Sequence, residues 1–190
     1  MRIPRSFPVL LVAVAALAAG AHERSRSLWP LWGKDRKNSH FARAESEISA
    51  ANASLLAVKW VFDLGQFNDC ALVDCSVSAT PTVDEDRLYV PDWAGNLYAI
   101  DRESGQAEWV RRIEDLTGTR GDFSRTSPTI DDDRLYLGSR RTATVFAVSA
   151  RTGRLKWKSR PLDPHPDALI TTSPSTPAKS PPLLVTSGTP

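Results

Sequence analysis

An internal repeat constrains the fold of this chain more than any other feature of its sequence. Residues 78–90 recur as residues 125–137, with the proline, the arginine and the tyrosine of each copy at matching places. The likeness continues further along, where Trp109 of the first copy corresponds to Trp157 of the second. A period of roughly 45 residues is typical of β-propellers, in which each repeat forms one blade.

Each copy alternates short apolar segments with turns. In the first copy the segments Leu88–Val90, Leu97–Ile100 and Glu108–Val110 are rich in β-branched and aromatic residues, and they are separated by Trp93–Asn96 and Asp101–Gly105. Short strands at even spacing with glycine, asparagine and aspartate between them are typical of four-stranded blades. The sequence therefore predicts an all-β fold without helical periodicity in the repeats, namely a β-propeller of four-stranded blades.

The number of repeats limits how much of a propeller the chain can form. A third copy starts at Thr172-Ser173-Pro174, one period after Pro128. Propellers close into a ring at roughly four to eight blades. We therefore expect an incomplete propeller, with about two full blades plus the start of a third, in a truncated or partial chain. The predicted division is a segment at 22–62 that leads into the propeller, and a partial propeller at 63–190, with repeats near 78–112, 125–160 and 171–190.

The first residues have the pattern of an export signal. Arg2 and Arg5 precede the apolar run Val9–Ala18, and Ala19-Gly20-Ala21 supplies small residues for cleavage. This predicts a signal peptide at 1–21 and a secreted or periplasmic protein. A membrane anchor is the alternative, but the run is too short to cross a bilayer of ~30 Å, so we expect no stable membrane span. The formal net charge is +2 with scattered basic residues, which argues against a nucleic-acid partner.

The two cysteines, Cys70 and Cys75, lie in one short segment. In an oxidising compartment they can close a structural disulfide; a redox-active or metal-binding pair is the alternative. Asn52-Ala53-Ser54 is a sequon, which makes Asn52 a candidate glycosylation site. The three histidines are isolated and show no metal-ligand spacing, so we assign no metal-binding residues.

Residues 79–109 resemble the repeat of dehydrogenases that depend on pyrroloquinoline quinone (PQQ), with the frame A-T-P-x-V, R-L-Y-V, W-x-G-N-L-Y-A-I-D, S-G and W. Trp32-Gly33-x-Asp35 with Asn38 is similar to the opening of proteins like polyvinyl-alcohol dehydrogenase. Ser124–Pro128 and His165–Thr171 fit the same branch. The resemblance implies a propeller that holds PQQ near its axis with Ca²⁺, and that oxidises a small-molecule or polymeric alcohol and passes electrons to a cytochrome.

The resemblance also implies site residues. It places Arg125 and Thr171 at the cofactor, and it matches Ser187-Gly188 to the dipeptide before the family's calcium-binding glutamate, which this sequence lacks. The catalytic residues are unknown, because relatives carry them in later blades. We therefore expect the N-terminal part of an alcohol dehydrogenase-like quinoprotein, without turnover by this chain alone. The alternative for Arg125 is a surface ion pair with Asp122.

Two other interpretations of the sequence are considered beside the dehydrogenase. One is a non-catalytic propeller that serves as a scaffold for protein binding, and the other is a decayed gene whose product does not fold. Trp93 either faces the propeller axis or packs between blades. Trp60, Trp109 and Trp157 recur with the period, which predicts that they dock one blade on the next.

Overall fold

The computed structural model describes residues 28–42 and 48–176. They contain two four-stranded antiparallel sheets, each with its strands in sequential order, which confirms the predicted blades. The first blade consists of β1 (Thr82–Val83), β2 (Arg87–Pro91), β3 (Asn96–Asp101) and β4 (Ala107–Arg112). The second consists of β5 (Thr129–Asp131), β6 (Arg134–Gly138), β7 (Val145–Ser149) and β8 (Leu155–Lys158). The predicted signal peptide lies outside the described residues.

One short helix departs from the all-strand pattern. Helix α1 (Ile113–Thr117) follows β4 directly, and two 3₁₀ turns lie earlier, at Ala53–Leu55 and Leu64–Gln66. Ile113 and Leu116 are buried in the core between the blades, and Gly118 ends the helix in the left-handed region at φ 78°. Five residues are too few to show helical periodicity, so α1 is not predicted from the sequence. No helix in the described ranges has the length and apolarity to span a bilayer.

Repeated tryptophans dock the elements on one another. The Trp109 indole N–H donates to the carbonyl of Ala150 at 3.0 Å, and its ring lies so close to Gly153 that a Cβ there would meet it at 2.8 Å. Trp60 repeats this arrangement one period earlier, with a 2.9 Å bond to the carbonyl of Arg102 and its ring against Gly105. Both glycines have positive φ, so their turns need glycine for conformation as well as for space.

Hydrogen bonds at the start of each repeat join the blades. Ser127 Oγ accepts from the backbone N–H of Thr80 at 2.8 Å, and Ser173 Oγ accepts from the N–H of Ser127 at 3.0 Å. The Thr82 hydroxyl donates to the carbonyl of Pro128, and that of Thr129 repeats this bond one repeat later. Residues 173–174, at the start of the third repeat, thus bond to the second blade in the same way that residues 127–128 bond to the first blade.

The segment before the first blade lies against the first strands of both blades. The backbone N–H of Val83 donates to the carbonyl of Trp29 at 3.0 Å, and that of Ile130 donates to the carbonyl of Pro30 at 2.8 Å. These bonds fix the residues that follow, 31–38, beside the starts of the second and third repeats.

Two buried tyrosines make the fold sensitive to alkali. Burial raises the pKa of Tyr89, as does the adjacent Asp84 carboxylate, and burial together with the hydrogen bond to Asp92 raises the pKa of Tyr98. The folded chain therefore keeps protons that the unfolded chain releases above pH ~10. We expect stability to be independent of these groups below pH ~10 and to fall above it by ~1.4 kcal/mol per pH unit for each tyrosine.

Urea unfolding between pH 8 and 12 measures this dependence. Tyr98→Phe removes one of the two groups, so its stability should fall about half as steeply as that of the wild type above pH ~10. An unchanged slope in the variant would show that Tyr98 does not contribute to it.

Candidate functional site

A cleft of about 550 Å³ lies between the N-terminal segment and the starts of the second and third repeats. Three parts of the chain line it: residues 31–38, Ser78 with the stretch around Arg125, and residues 171–175. The volume is within the range of small-molecule sites, roughly 300–1,000 Å³. We call it the Arg125 cleft. Arg125 and Thr171, which the sequence analysis assigned to a cofactor, both line it, whereas Ser187 and Gly188 lie outside the described residues.

Arg125 is exposed to the cleft and stacks on an aromatic ring. Its guanidinium carbon lies 4.2 Å from the centroid of the Trp93 indole. A cation–π contact of this kind restricts the guanidinium while leaving its N–H groups free to bind an anion. The Trp93 ring also lies 6.3 Å from the ring of Phe123, and whether it faces the propeller axis or packs between blades stays a prediction.

The indole of Trp93 is held from two sides. Its ring N–H donates to Ser78 Oγ at 2.9 Å, and its backbone N–H donates to the carbonyl of Ser76 at 3.0 Å. Ser76 directly follows Cys75, which is joined to Cys70 in a disulfide with the Cα atoms 5.5 Å apart. The disulfide loop is thus followed by Ser76 and Ser78, which hold the Trp93 ring on which the Arg125 guanidinium stacks.

A buried carboxylate anchors the same region. Asp92 is fully buried and accepts hydrogen bonds from the Tyr98 hydroxyl at 2.6 Å, from the Asn96 backbone N–H at 2.7 Å and from the Asn68 amide at 2.9 Å. Asn68 lies just before the disulfide loop, so Asp92 ties that loop to the β2–β3 turn that carries Trp93.

The ion pair between Arg125 and Asp122 that the sequence left as an alternative does not form. The Asp122 carboxylate is 1% exposed and accepts from Ser139 Oγ at 2.7 Å and from the Arg141 backbone N–H at 3.0 Å. The Asp122 carboxylate is thus bonded to the β6–β7 turn, and the Arg125 guanidinium lies over the Trp93 ring instead.

The N-terminal segment, which has no predicted site role, supplies one wall of the cleft. Asp35 accepts from the hydroxyl and N–H of Ser39, and these bonds hold its pKa below the usual range. Arg36 Nε donates to the carbonyl of Thr176 at 2.8 Å. The motif Trp32-Gly33-x-Asp35 with Asn38 was the available signal, but a sequence pattern alone does not show that it meets residues 171–175.

The donors in the cleft suit an anionic, planar ligand better than a metal ion. Arg125 provides a forked cation, and four hydroxyl-bearing residues, Ser78, Ser127, Thr171 and Thr172, also line the cleft. Within residues 28–42 and 48–176 no three histidine, cysteine or carboxylate side chains gather as metal ligands would. We therefore assign no calcium ligand to these residues.

The predicted glycosylation site lies away from the cleft. Asn52 is half-buried, and its side-chain oxygen accepts from the backbone N–H of Ser49 at 2.7 Å. Its modification stays a prediction.

Comparison with known proteins shows the family of the chain. A family model for PQQ-type repeats, described as outer membrane protein assembly factor BamB, matches residues 32–187. Polyvinylalcohol dehydrogenase of a Pseudomonas species is 28% identical over 149 residues, which are 77% of this chain and 21% of that protein. Outer membrane protein assembly factor BamB of Moranella endobia is 31% identical over 106 residues, 52% of this chain and 26% of that protein.

Among solved structures, quinohemoprotein alcohol dehydrogenase from Comamonas testosteroni matches 72% of this chain and 27% of its own, with 19% identity and a TM-score of 0.39. The chain spans about a fifth to a quarter of the length of the curated relatives it matches.

Proposed function

The chain belongs to the family of PQQ-type repeat proteins, and from that premise we propose that it supplies two blades and one side of the cofactor site of a secreted, PQQ-dependent alcohol dehydrogenase-like protein. The observation that carries the proposal is the Arg125 guanidinium stacked on Trp93 at the wall of a cleft of about 550 Å³. The similarity to a polyvinylalcohol dehydrogenase supports it.

The cleft residues fit the cofactor on this side. PQQ is a planar quinone with carboxylate groups and, when bound, it accepts hydride from an alcohol. The Arg125 fork would pair with a carboxylate, and the hydroxyl of Thr171 would donate a further hydrogen bond. Trp93 keeps the guanidinium in place before the ligand arrives, which lowers the ordering cost of binding.

These residues bind and orient; they do not move the substrate's proton. That task needs a carboxylate near the reacting carbon, together with the calcium ligands, and we place both in blades beyond the described residues. We accordingly propose that this chain alone binds PQQ but does not turn over an alcohol. The substrate, a small or polymeric alcohol, and an electron-accepting cytochrome belong to the same proposal.

Titration of the secreted chain with PQQ, followed by tryptophan fluorescence, tests the proposal. We expect saturable binding by the wild type and a dissociation constant about 10- to 100-fold higher for Arg125→Ala, because a charge-assisted hydrogen bond contributes ~1.5–3 kcal/mol. Arg134→Ala, which removes an exposed arginine of β6, is the matched control and should bind as the wild type does.

Equal affinities for the two variants would remove Arg125 from the site. Failure of a chain with an intact circular dichroism spectrum to bind PQQ would argue against the cofactor. It would favour the second candidate, a non-catalytic scaffold for protein binding, which the description of the matching family model and the 31% identity to a BamB protein support.

A further inference from the structure

A second cleft, of about 500 Å³, lies outside the Arg125 cleft on the second blade. One wall is Phe123 with the β6–β7 turn that carries Arg140 and Arg141, and the other is the loop of residues 166–169. We call it the Arg140 cleft. The loop is part of the His165–Thr171 stretch, in which the proposed function gives a role only to Thr171.

The two arginines of this cleft lack acidic partners. Neither guanidinium forms an ion pair with any carboxylate in the described part of the chain. The Arg140 Nε–H is moreover buried without a hydrogen-bond acceptor, and it is the one buried side-chain atom among the described residues in that condition. Buried donors are nearly always satisfied in folded proteins, so this atom calls for an acceptor that residues 28–42 and 48–176 do not supply.

The turn that carries the arginines is fixed in place. The Arg140 backbone N–H donates to the carbonyl of Phe123 at 2.9 Å, and that of Arg141 donates to the buried Asp122 carboxylate at 3.0 Å. The same carboxylate accepts from Ser139 Oγ at 2.7 Å. Both arginine side chains therefore extend from a backbone that is fixed before a ligand binds, so binding loses little backbone conformational entropy.

The opposite wall is also preformed. The loop is attached to the β6–β7 region at both ends, through Leu162 N–H to the carbonyl of Ala143 at 2.9 Å and Ile170 N–H to the carbonyl of Ser139 at 3.1 Å. Inside it, the Asp167 N–H donates to His165 Nδ1 at 3.2 Å. The cleft is thus held open by backbone hydrogen bonds on both sides.

We propose that the Arg140 cleft binds a monoanionic carboxylate that carries an apolar group. A guanidinium fork matches a carboxylate in shape and charge, and both Arg140 and Arg141 line the cleft without an ionic partner among the described residues. Phe123, Pro166 and Leu169 offer an apolar surface beside it. Asp167 in the same wall reduces the formal charge of the lining to +1, which disfavours a doubly charged phosphate.

The site is separate from the Arg125 cleft but close to it. Phe123 lies two residues from Arg125, and Leu169 lies two residues from Thr171, so the two clefts share both segments as walls. In extended chain two residues span ~7 Å. A carboxylate in the Arg140 cleft therefore neighbours the Arg125 cleft without occupying it, and its binding does not depend on PQQ.

Isothermal titration with benzoate, at constant ionic strength and without PQQ, tests the site, with benzamide as the neutral analogue of the same shape. We expect saturable binding of benzoate and none of benzamide. Arg140→Gln should weaken benzoate binding about 10-fold or more, because it removes the charged donor. Arg154→Gln, which removes an exposed arginine of the same blade, should leave it unchanged.

Three results would overturn the assignment: equal binding of benzoate and benzamide, unchanged affinity in Arg140→Gln, and binding of inorganic phosphate as tight as that of benzoate. A thermal melt of each variant shows whether it is folded. If Arg140→Gln does not fold, Arg141→Gln takes its place, since that guanidinium is exposed. It should weaken benzoate binding without lowering the melting temperature, and unchanged affinity would again overturn the proposal.

Discussion

Replacement of Trp109 with alanine is expected to lower the free energy of unfolding by about 3–5 kcal/mol, the usual cost of removing a large buried aromatic side chain. Trp109 is 7% exposed and belongs to the core between the two blades, where its ring lies against Tyr89 and Gly153. Truncation would open a cavity at this seam and would leave the carbonyl of Ala150 without its donor.

Trp157 provides the matched control, because it occupies the same position one repeat later but is 44% exposed. Trp157→Ala should cost clearly less than Trp109→Ala, since nearly half of the Trp157 side chain is already exposed to water. Urea unfolding of both variants, followed by circular dichroism, gives the two values. Similar costs for the two would contradict the view that the seam between the blades stabilises the described part of the fold.

The same pair of tryptophans explains why the sequence predicted the blades well. In a propeller the contacts between blades recur wherever the sequence repeat recurs. Trp109 and its partner Gly153 therefore have counterparts one period earlier, Trp60 and Gly105, which can be recognised from the sequence alone. The hydroxyl and proline at the start of each repeat are visible for the same reason. These residues make contacts within one repeat or between consecutive repeats, and the two partners of such a contact are separated by a constant number of residues.

The clefts were predictable only in part, because they form between segments that are distant in sequence. Arg36 contacts the carbonyl of Thr176, 140 positions away. No local pattern records such a contact. Family resemblance singled out Arg125 and Thr171, which both line the cleft. It gave no indication that the Arg125 guanidinium stacks on Trp93 or that the N-terminal segment forms a wall.

The cysteines show the limit of spacing arguments in another way. Their separation allowed a structural disulfide, a redox pair or a metal pair. The structure joins Cys70 to Cys75 and places the carbonyl of Ser76 on the backbone N–H of Trp93. The disulfide therefore acts on the position of Trp93 through the hydrogen bond between the Trp93 N–H and the Ser76 carbonyl. A bond between two backbone groups cannot be predicted from the identity of the side chains.

The buried Asp92 carboxylate, next to Trp93 in the chain, gives the second large effect. Asp92→Ala is expected to lower the free energy of unfolding by about 3 kcal/mol or more, because it leaves the Tyr98 hydroxyl and the Asn96 backbone N–H buried without their acceptor. Asp101→Ala is the matched control. Its carboxylate accepts from Ser104 in an exposed turn, where water can replace it, so the loss should be clearly smaller.

A double-mutant cycle with Tyr98→Phe separates the lost hydrogen bond from a general disturbance of the turn. With the hydroxyl already absent, Asp92→Ala should cost less than it does in the wild type, and the difference is the coupling between the two groups. Additive costs would show that the Tyr98–Asp92 hydrogen bond of 2.6 Å contributes nothing to stability. A positive coupling would mean that the first blade depends on a polar network at the very turn that orients Trp93, so that stability and the geometry of the cleft share the same residues.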